Sequence, residues 1–381
     1  MTTLYLHFGL PKTGTTSIQR FMSENRDKLA DMGICYPLFD FRYRGRGKYR
    51  NLIFLTAPSV DSPPQSKEKL REEKNKIHQT ISELAETYPK ILLSDESVWN
   101  RIAPDTHRWK SMKRFADKHQ MNVKIIVYVR TQDQFVESLW RQKCKMEFET
   151  PSWDPYSYIS IKNLDYYKTL NTIANVYGKE NIIVRRFGKE YFGGSAHNLI
   201  SDFLDILGLE LTDDFVIPDV RRNLTLRASY IDLRRRLMEH PNYDHDTDKY
   251  IRGIFSRCER MGTLGPDATM FTPEQRKAFM AQFAESNQLV ADEFLGPNGQ
   301  PLFTEKLEEK PIWGESEEIR NNDYLQFLLE YVIQSTQKIQ TMDQELKEVK
   351  GQLKQTQEKL KEYSLWHQIK YYIRRLFGGK K

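Results

Sequence analysis

The sequence lacks any apolar run near the roughly 18 residues that a membrane-spanning helix needs, and its start carries no basic-then-apolar leader. A cytoplasmic chain is expected. Cysteine is scarce, three in 381 residues. Cys35, Cys144 and Cys258 share neither a paired nor a metal-like spacing, which argues against a disulfide scaffold and suits a reducing compartment. His240, Asp244 and His245 fall together in HPNYDHD, but without a ligand spacing, so a polar loop is expected there. An excess of one charge is also missing from most of the chain. The net charge is +6, and residues 337–381 supply all of it, with eleven Lys and Arg against five Asp and Glu. The remaining body balances at 47 against 47, which argues against a general nucleic-acid binder. With 39% hydrophobic and 29% charged residues, the chain has an ordinary globular composition and is long enough to bury a core.

What is present begins almost at once, in LYLHFGLPKTGTTSIQ at residues 4–19. Leu4, Leu6 and Phe8 alternate with Tyr5 and His7 up to Gly9, as in a buried strand. Pro11 and Gly14 bracket a loop, and Ile18, Phe21, Met22 and Leu29 then recur at helical spacing. A strand, a tight loop and a helix N-terminus make an anion cradle, because the first helical N–H groups lack acceptors and the helix dipole adds positive potential. Lys12 contributes a full charge, and Thr13, Thr15, Thr16 and Ser17 contribute hydroxyls. The loop is not a Walker loop. Gly9 and Gly14 have that spacing, but Thr15 stands where the lysine belongs, and Lys12 lies two residues before the second glycine.

The PKTGTTS spelling of residues 11–17 resembles the 5′-phosphosulfate loop of sulfotransferases that use 3′-phosphoadenosine 5′-phosphosulfate (PAPS), in particular the bacterial, carbohydrate-type branch. Further on, VKIIVYV at 123–129 is a strong strand, Arg130 follows it, and Ser138 comes eight residues later near the start of a helix. This pair resembles the family's 3′-phosphate-binding element. The plainer reading of Arg130 is a surface ion pair with Asp133 or Glu137.

Between these motifs the chain alternates strand and helix. A short strand at 34–36 precedes a basic stretch at 41–51 that holds Arg42, Arg44, Arg46, Lys48 and Arg50 and no acid, read as a solvated loop or as a loop that meets an anionic acceptor or the nucleotide. Helices are expected at 70–84, 104–119, 164–177 and 197–207, with strands at 90–96 and 182–187. The whole reads as α/β: a P-loop-like, doubly wound, mainly parallel sheet flanked by helices, plus a C-terminal coiled-coil helix. In such sheets ligands bind beyond the C-terminal strand ends, so residues 9–17, 94–96 and Arg130 should converge. Arg221, Arg222 and Asn223, in the basic segment 218–227, are candidates for closing over the nucleotide, as a late segment does in the family. A helix at 272–295 begins with a Thr cap and a Pro.

The domain reading is 1–296 for the catalytic body, 297–322 for a linker, 323–363 for a helical and coiled-coil segment and 364–381 for a basic amphipathic tail. From Ile339 through Met342, Leu346, Val349, Leu353, Thr356 and Leu360 to Tyr363 the spacing alternates 3 and 4, the seam of a coiled coil that would make a homo-oligomer. Trp366, Ile369, Ile373, Leu376 and Phe377 form a second stripe, accompanied by Lys370, Arg374, Arg375, Lys380 and Lys381. That end could lie on an anionic membrane surface or pack back on the body.

The resemblance implies sulfuryl transfer from PAPS to a hydroxyl of a carbohydrate or glycolipid, with 3′,5′-adenosine diphosphate as product and no metal required. Lys12 would stabilise the leaving phosphate. Pro11, Lys12, Thr13, Gly14, Thr15, Thr16 and Ser17 would hold the phosphosulfate, while Arg130, Ser138 and Arg222 would hold the rest of the nucleotide. Glu96 is the expected general base, Asp95 is its neighbour and rival, and one of the two should point away if both lie on a strand. His7 is a third candidate. Two other classes stay open: a P-loop kinase acting on ATP, with Asp95 as its magnesium carboxylate, and a non-catalytic coiled-coil scaffold.

Overall fold

The structure, a computed structural model, describes residues 1–39, 49–52, 67–101, 105–146, 152–158, 163–192, 198–218, 227–296, 300–304 and 310–377. The chain divides into two compact units, Met1–Ile231 with Asp267–Gly314, and Asp232–Pro266 with Glu315–Lys381. This division differs from the one read in the sequence. Part of the expected linker belongs to the first unit: Leu302 is 1% exposed within its core, and Thr269 bridges to Ile312. Short apolar insertions between charged residues are easily mistaken for spacer.

The first unit is organised on five strands, β1 Thr3–His7, β2 Ile34–Cys35, β3 Lys90–Ser94, β4 Asn122–Val129 and β5 Ile182–Arg186. All pair in parallel, in the order β2-β3-β1-β4-β5. The strand that carries the loop is therefore central, and the order reverses direction beside it.

Both faces of the sheet are covered, as its alternating side chains require. One face, with Leu4, Leu6, Ile91, Leu93, Ile125 and Val127, packs against helices whose apolar stripes point inward. These are α3 Lys67–Thr87, α4 Ser97–Arg101, α5 Thr106–Lys118, α6 Gln132–Met146 and α7 Tyr166–Tyr177. The other face carries Leu92, Ile126 and Tyr128 and is covered by α1 Thr15–Glu24, α2 Arg26–Asp31 and α8 Leu199–Ile206. The expected helix from Thr15 is thus two helices. Asn25 breaks it, using its side chain to bond the Phe21 carbonyl and both the N–H and the carbonyl of Val216.

Three further helices follow α8: α9 Ala228–Met238, α10 His245–Met261 and α11 Pro273–Ala281. The helix expected at 272–295 is also divided, into α11, capped by Thr272 with Pro273 in its first turn, and α12 Ala284–Val290, which runs on into a π-helical turn at Ala291–Leu295.

The second unit pairs α10 with the start of α13 Glu317–Phe377, a single 61-residue helix. Its centre is polar: Arg234 and Asp248 are both buried, and Asp248 accepts from Arg234 Nε at 2.5 Å, from the Tyr243 hydroxyl at 2.8 Å and from Arg252. The segment around His240 is accounted for by structure, since Asp244 caps α10 through the Thr247 N–H. Burial alone would raise the Asp248 carboxyl, but the hydrogen bonds from Tyr243, Arg234 and Arg252 hold it below its ordinary value. Asp248→Asn should lower stability by about 3–5 kcal/mol at neutral pH, since Arg234 is left buried without its counter-charge. A carboxyl with a depressed folded pKa stabilises above its unfolded value of about 3.9 and stops doing so as pH falls through the folded value. Denaturation midpoints of the full chain and the variant should therefore approach each other below about pH 4.

Candidate active site

The site is built at the C-terminal ends of β3, β1 and β4. After His7 the chain keeps following β4, with Phe8 N–H donating to Ile126 and Leu10 N–H to Tyr128. Gly9 makes this approach possible, because a Cβ there would lie 2.8 Å from the Tyr128 backbone nitrogen. The loop then turns sharply, with Lys12 at φ 71° and Gly14 at φ 74°, and α1 begins at Thr15. Gly14 offers no side-chain cap, so the first-turn N–H groups of α1 lack the usual capping oxygen. An anion there meets backbone donors and the positive end of the dipole.

The loop hydroxyls divide in two. Thr13 is buried and donates to the Leu10 carbonyl at 2.7 Å, which closes the turn. Thr15 is buried, Thr16 is exposed, and Pro11, Lys12 and Ser17 are half-buried at the rim. The Ser17 N–H is used within the helix start, on the Gly14 carbonyl.

Arg130, leaving β4, is brought to this loop. Its Nη1 donates to the Lys12 carbonyl at 3.2 Å, its Nε to Gln134 at 3.1 Å, and its guanidinium lies over the Phe187 ring at 5.7 Å. The Tyr166 hydroxyl fixes the Arg130 carbonyl at 2.8 Å. Burial pulls the Arg130 pKa below its ordinary value, yet a guanidinium remains charged at any physiological pH. The acids of the plainer reading are engaged elsewhere: Asp133 with Arg276 at 3.1 Å, and Glu137 with Arg141 at 2.7 Å. Ser138, on the second turn of α6, is buried and bonds neither Arg130 nor the loop. Arg221, Arg222 and Asn223 lie outside the described residues.

The carboxylates at the end of β3 are arranged differently from the sequence expectation. β3 ends at Ser94, so Asp95 and Glu96 are freed from strand alternation, and both turn to one cation, Arg50. Asn51 places that arginine. Its side chain bonds the Pro37 and Leu92 carbonyls at 3.1 Å and accepts the Ser94 N–H at 2.7 Å, pinning residues 49–52 beside β3. Asp95 is 0% exposed, its Oδ1 accepting from Arg50 and from the Ser97 N–H, which caps α4. Its Oδ2 has no hydrogen-bond partner among the described residues. The Glu96 side chain is 20% exposed and faces Arg50 at 3.4 Å. Gln19, one turn into α1, donates its amide to Glu96 Oε2 at 2.8 Å and to Ser94 Oγ at 3.3 Å.

His7 lies beneath this row rather than in it. It is 0% exposed, its Nδ1 shares a hydrogen bond with Ser94 Oγ at 2.9 Å, and burial lowers its pKa to about 3. It is therefore neutral, and its place is inside the sheet, not at the cleft. Arg50 and Gln19 are the two residues sequence reasoning passed over. Arg50 was one of several basic residues in a loop, and Gln19 carried no motif.

The loop, Arg130 and the carboxylate pair thus meet at the switch point of the sheet, linked by direct bonds: Arg130 to Lys12, Gln19 to Glu96, and the Asp95 N–H to the His7 carbonyl at 3.0 Å. Among the described residues, no cluster of His, Cys, Asp or Glu is arranged to hold a metal ion, and no helix is long and apolar enough to cross a membrane. No family model matches the chain. A protein of Archaeoglobus fulgidus described as uncharacterized is 29% identical over 184 residues, 48% of this chain and 49% of that protein, so the chain spans about half the length of that curated relative. A crystal structure of a sulfotransferase from Alicyclobacillus acidocaldarius is similar at 14% identity and a TM-score of 0.42, over 78% of this chain and 97% of that one.

Proposed function

We propose that the chain transfers a sulfuryl group from PAPS to a hydroxyl of a carbohydrate or glycolipid. The observation that carries this reading is the bond from Arg130 to the carbonyl of Lys12, which joins a second fixed cation to an uncapped helix N-terminus. A donor with phosphate groups at both its 5′ and 3′ ends needs two positive sites, and the α1 N-terminus and Arg130 would supply them. The α1 N-terminus and Lys12 would take the phosphosulfate, and Arg130 the 3′-phosphate, with Ser138 and Arg222 as further candidates. The carbohydrate acceptor follows from the resemblance of Glu96 to the base of that branch.

In the transfer, the acceptor oxygen attacks sulfur as the bond from sulfur to the phosphate oxygen breaks. The hydroxyl proton passes to Glu96, and the leaving phosphate keeps the electron pair and the negative charge. Lys12 and the first N–H groups of α1 face that charge as it grows, where preorganised donors are worth about 3 kcal/mol each. Gln19 and Arg50 orient Glu96.

The Asp95 geometry counts against the ATP kinase alternative. A carboxylate that is out of solvent and shares an oxygen with a guanidinium is a poor ligand for magnesium, since the bound cation repels a second. The test is binding of 3′,5′-adenosine diphosphate without metal, compared with ATP and magnesium. Arg130→Ala should weaken bisphosphate binding by about 10-fold to 100-fold, the worth of a charge-assisted contact. Preference for ATP with magnesium, or no binding of either nucleotide, would sink the donor assignment.

A further inference from the structure

Within the second unit, α13 uses one side to pack on α10 and leaves the opposite side bare. Phe327 stacks on Phe255 with ring centroids 4.7 Å apart, Glu330 takes Arg257 at 2.6 Å, and Asp323 accepts the Gly265 N–H at 2.9 Å. These positions recur at 4 and 3 residues and define the inward face. Roughly half a turn around the helix, Leu325, Leu328 and Val332 are 54%, 53% and 59% exposed. The alternating 3 and 4 spacing runs on from them, but at Ser335 it meets α10, the Ser335 hydroxyl lying 3.2 Å from that of Tyr250, so the continuous uncovered seam is the one from Ile339 to Tyr363. Leu329 and Ile333, off the stripe, are also 51% and 49% exposed, so the uncovered apolar surface is broad before residue 334 and narrows to the seam beyond it, and such a surface is stabilised by burial against another helix.

The charges beside the seam identify the other helix. With Leu325 at the first apolar position of the heptad, Lys338 and Glu345 precede the seam at g, and Asp343 and Lys350 follow it at e. When two such helices lie parallel and in register, each g residue faces the e residue five positions on in its partner. Glu345 then meets the second copy's Lys350, and Lys338, whose ammonium lies 5.2 Å from the centroid of the Tyr250 ring on α10, is placed to reach the second copy's Asp343. The next such pair, Gln352 and Gln357, is neutral, and no like charges meet. Within one chain Asp343 is held by Lys347 at 2.7 Å, and an exposed carboxylate can take a second cation from across the interface.

We infer that α13 associates with further copies of this chain as a parallel, in-register coiled coil over residues 339–363. Leucine at Leu346 and Leu353, each followed by a β-branched residue, Val349 or Thr356, favours more than two strands over a simple pair. The coil ends at Tyr363, because the next seam positions are His367, Lys370 and Arg374, and the apolar stripe shifts to Trp366, Ile369 and Ile373. Parallel assembly places the basic ends of all copies together. None of this depends on the reaction proposed above.

The full chain, studied by sedimentation equilibrium, should self-associate. Glu345→Lys should weaken assembly about tenfold by turning the contact between Glu345 and Lys350 of each neighbouring chain from attractive to repulsive, and Lys350→Glu added to it should restore assembly. Under mild oxidation Met342→Cys and Thr356→Cys should each form a disulfide between identical residues, while the wild type, whose three cysteines are buried, should not. A chain that sediments as a monomer throughout overturns the inference. So does cross-linking at only one of the two positions, since antiparallel helices bring a residue opposite itself at a single crossing.

Discussion

Glu96→Gln is expected to lower sulfuryl transfer by about 10²- to 10⁴-fold, the usual worth of a positioned proton acceptor. Affinity for 3′,5′-adenosine diphosphate should stay as it was. The amide keeps the size of the side chain, and its oxygen can still accept from Gln19 or from Arg50, but it cannot take a proton. Asp95→Asn should behave differently. Asp95 is 0% exposed, caps α4 through the Ser97 N–H and neutralises Arg50, so its loss should appear first as a lower denaturation midpoint. Among the described residues Arg50 then keeps Glu96, at 3.4 Å, as its ionic partner. The pair of variants separates a cleft-facing carboxylate from a structural one. If Asp95→Asn folds normally and is the inactive member while Glu96→Gln turns over, the base has been misassigned. Turnover is read as release of 3′,5′-adenosine diphosphate from PAPS in the presence of an acceptor sugar, and stability as the urea midpoint of each variant.

That distinction could not have been drawn from the sequence, and the reason is physical. SDE at 94–96 reads as the end of a strand, and strand alternation would send Asp95 and Glu96 to opposite faces. The strand stops two residues earlier, at Ser94, because α4 begins at Ser97, and a helix of five residues is too short to show a 3.6-residue period. Arg50 lies 45 residues before Asp95 in the chain, with the helix α3 between them. Only Asn51, by binding the edge of β3, brings it home. Similar contacts hide elsewhere: Asn25 splits the first helix with the help of Val216, 191 residues away. Gln132 bonds Asn287 at 2.7 Å, from α6 to α12. By contrast, β1, the loop and α1 are legible together because all three signals are local. Leu4, Leu6 and Phe8 face one side at period 2, Gly9 and Gly14 stand where the chain must approach closely or turn left-handed, and Ile18, Phe21 and Met22 bury one helical stripe. The strong strand at 122–129 and the arginine after it are local in the same way. What was readable is what neighbouring residues decide, and what was missed is what distant side chains decide.

Lys12→Ala is the second large effect, an expected fall in transfer rate of about 10²- to 10³-fold. The backbone makes this substitution informative. Lys12 sits at φ 71°, where any residue with a Cβ costs about 1–2 kcal/mol. Alanine keeps that cost, so the loop is neither relaxed nor further strained, and the change reports the charge. The carbonyl of Lys12 still accepts from Arg130 at 3.2 Å, and the turn still closes through Thr13 and Leu10. Binding of PAPS should therefore weaken less than the rate, because its phosphosulfate is also held by the α1 N-terminus and its 3′-phosphate by Arg130. The charge on the leaving oxygen becomes largest only as the bond to sulfur breaks, and an interaction that strengthens at that moment appears in kcat more than in affinity. Steady-state kinetics of PAPS turnover beside calorimetric titration of PAPS without acceptor resolve the two. Equal losses in both would make Lys12 a binding residue only and move the stabilisation of the leaving oxygen to the backbone N–H groups of α1. A variant with full turnover would show that the helix N-terminus suffices without the lysine.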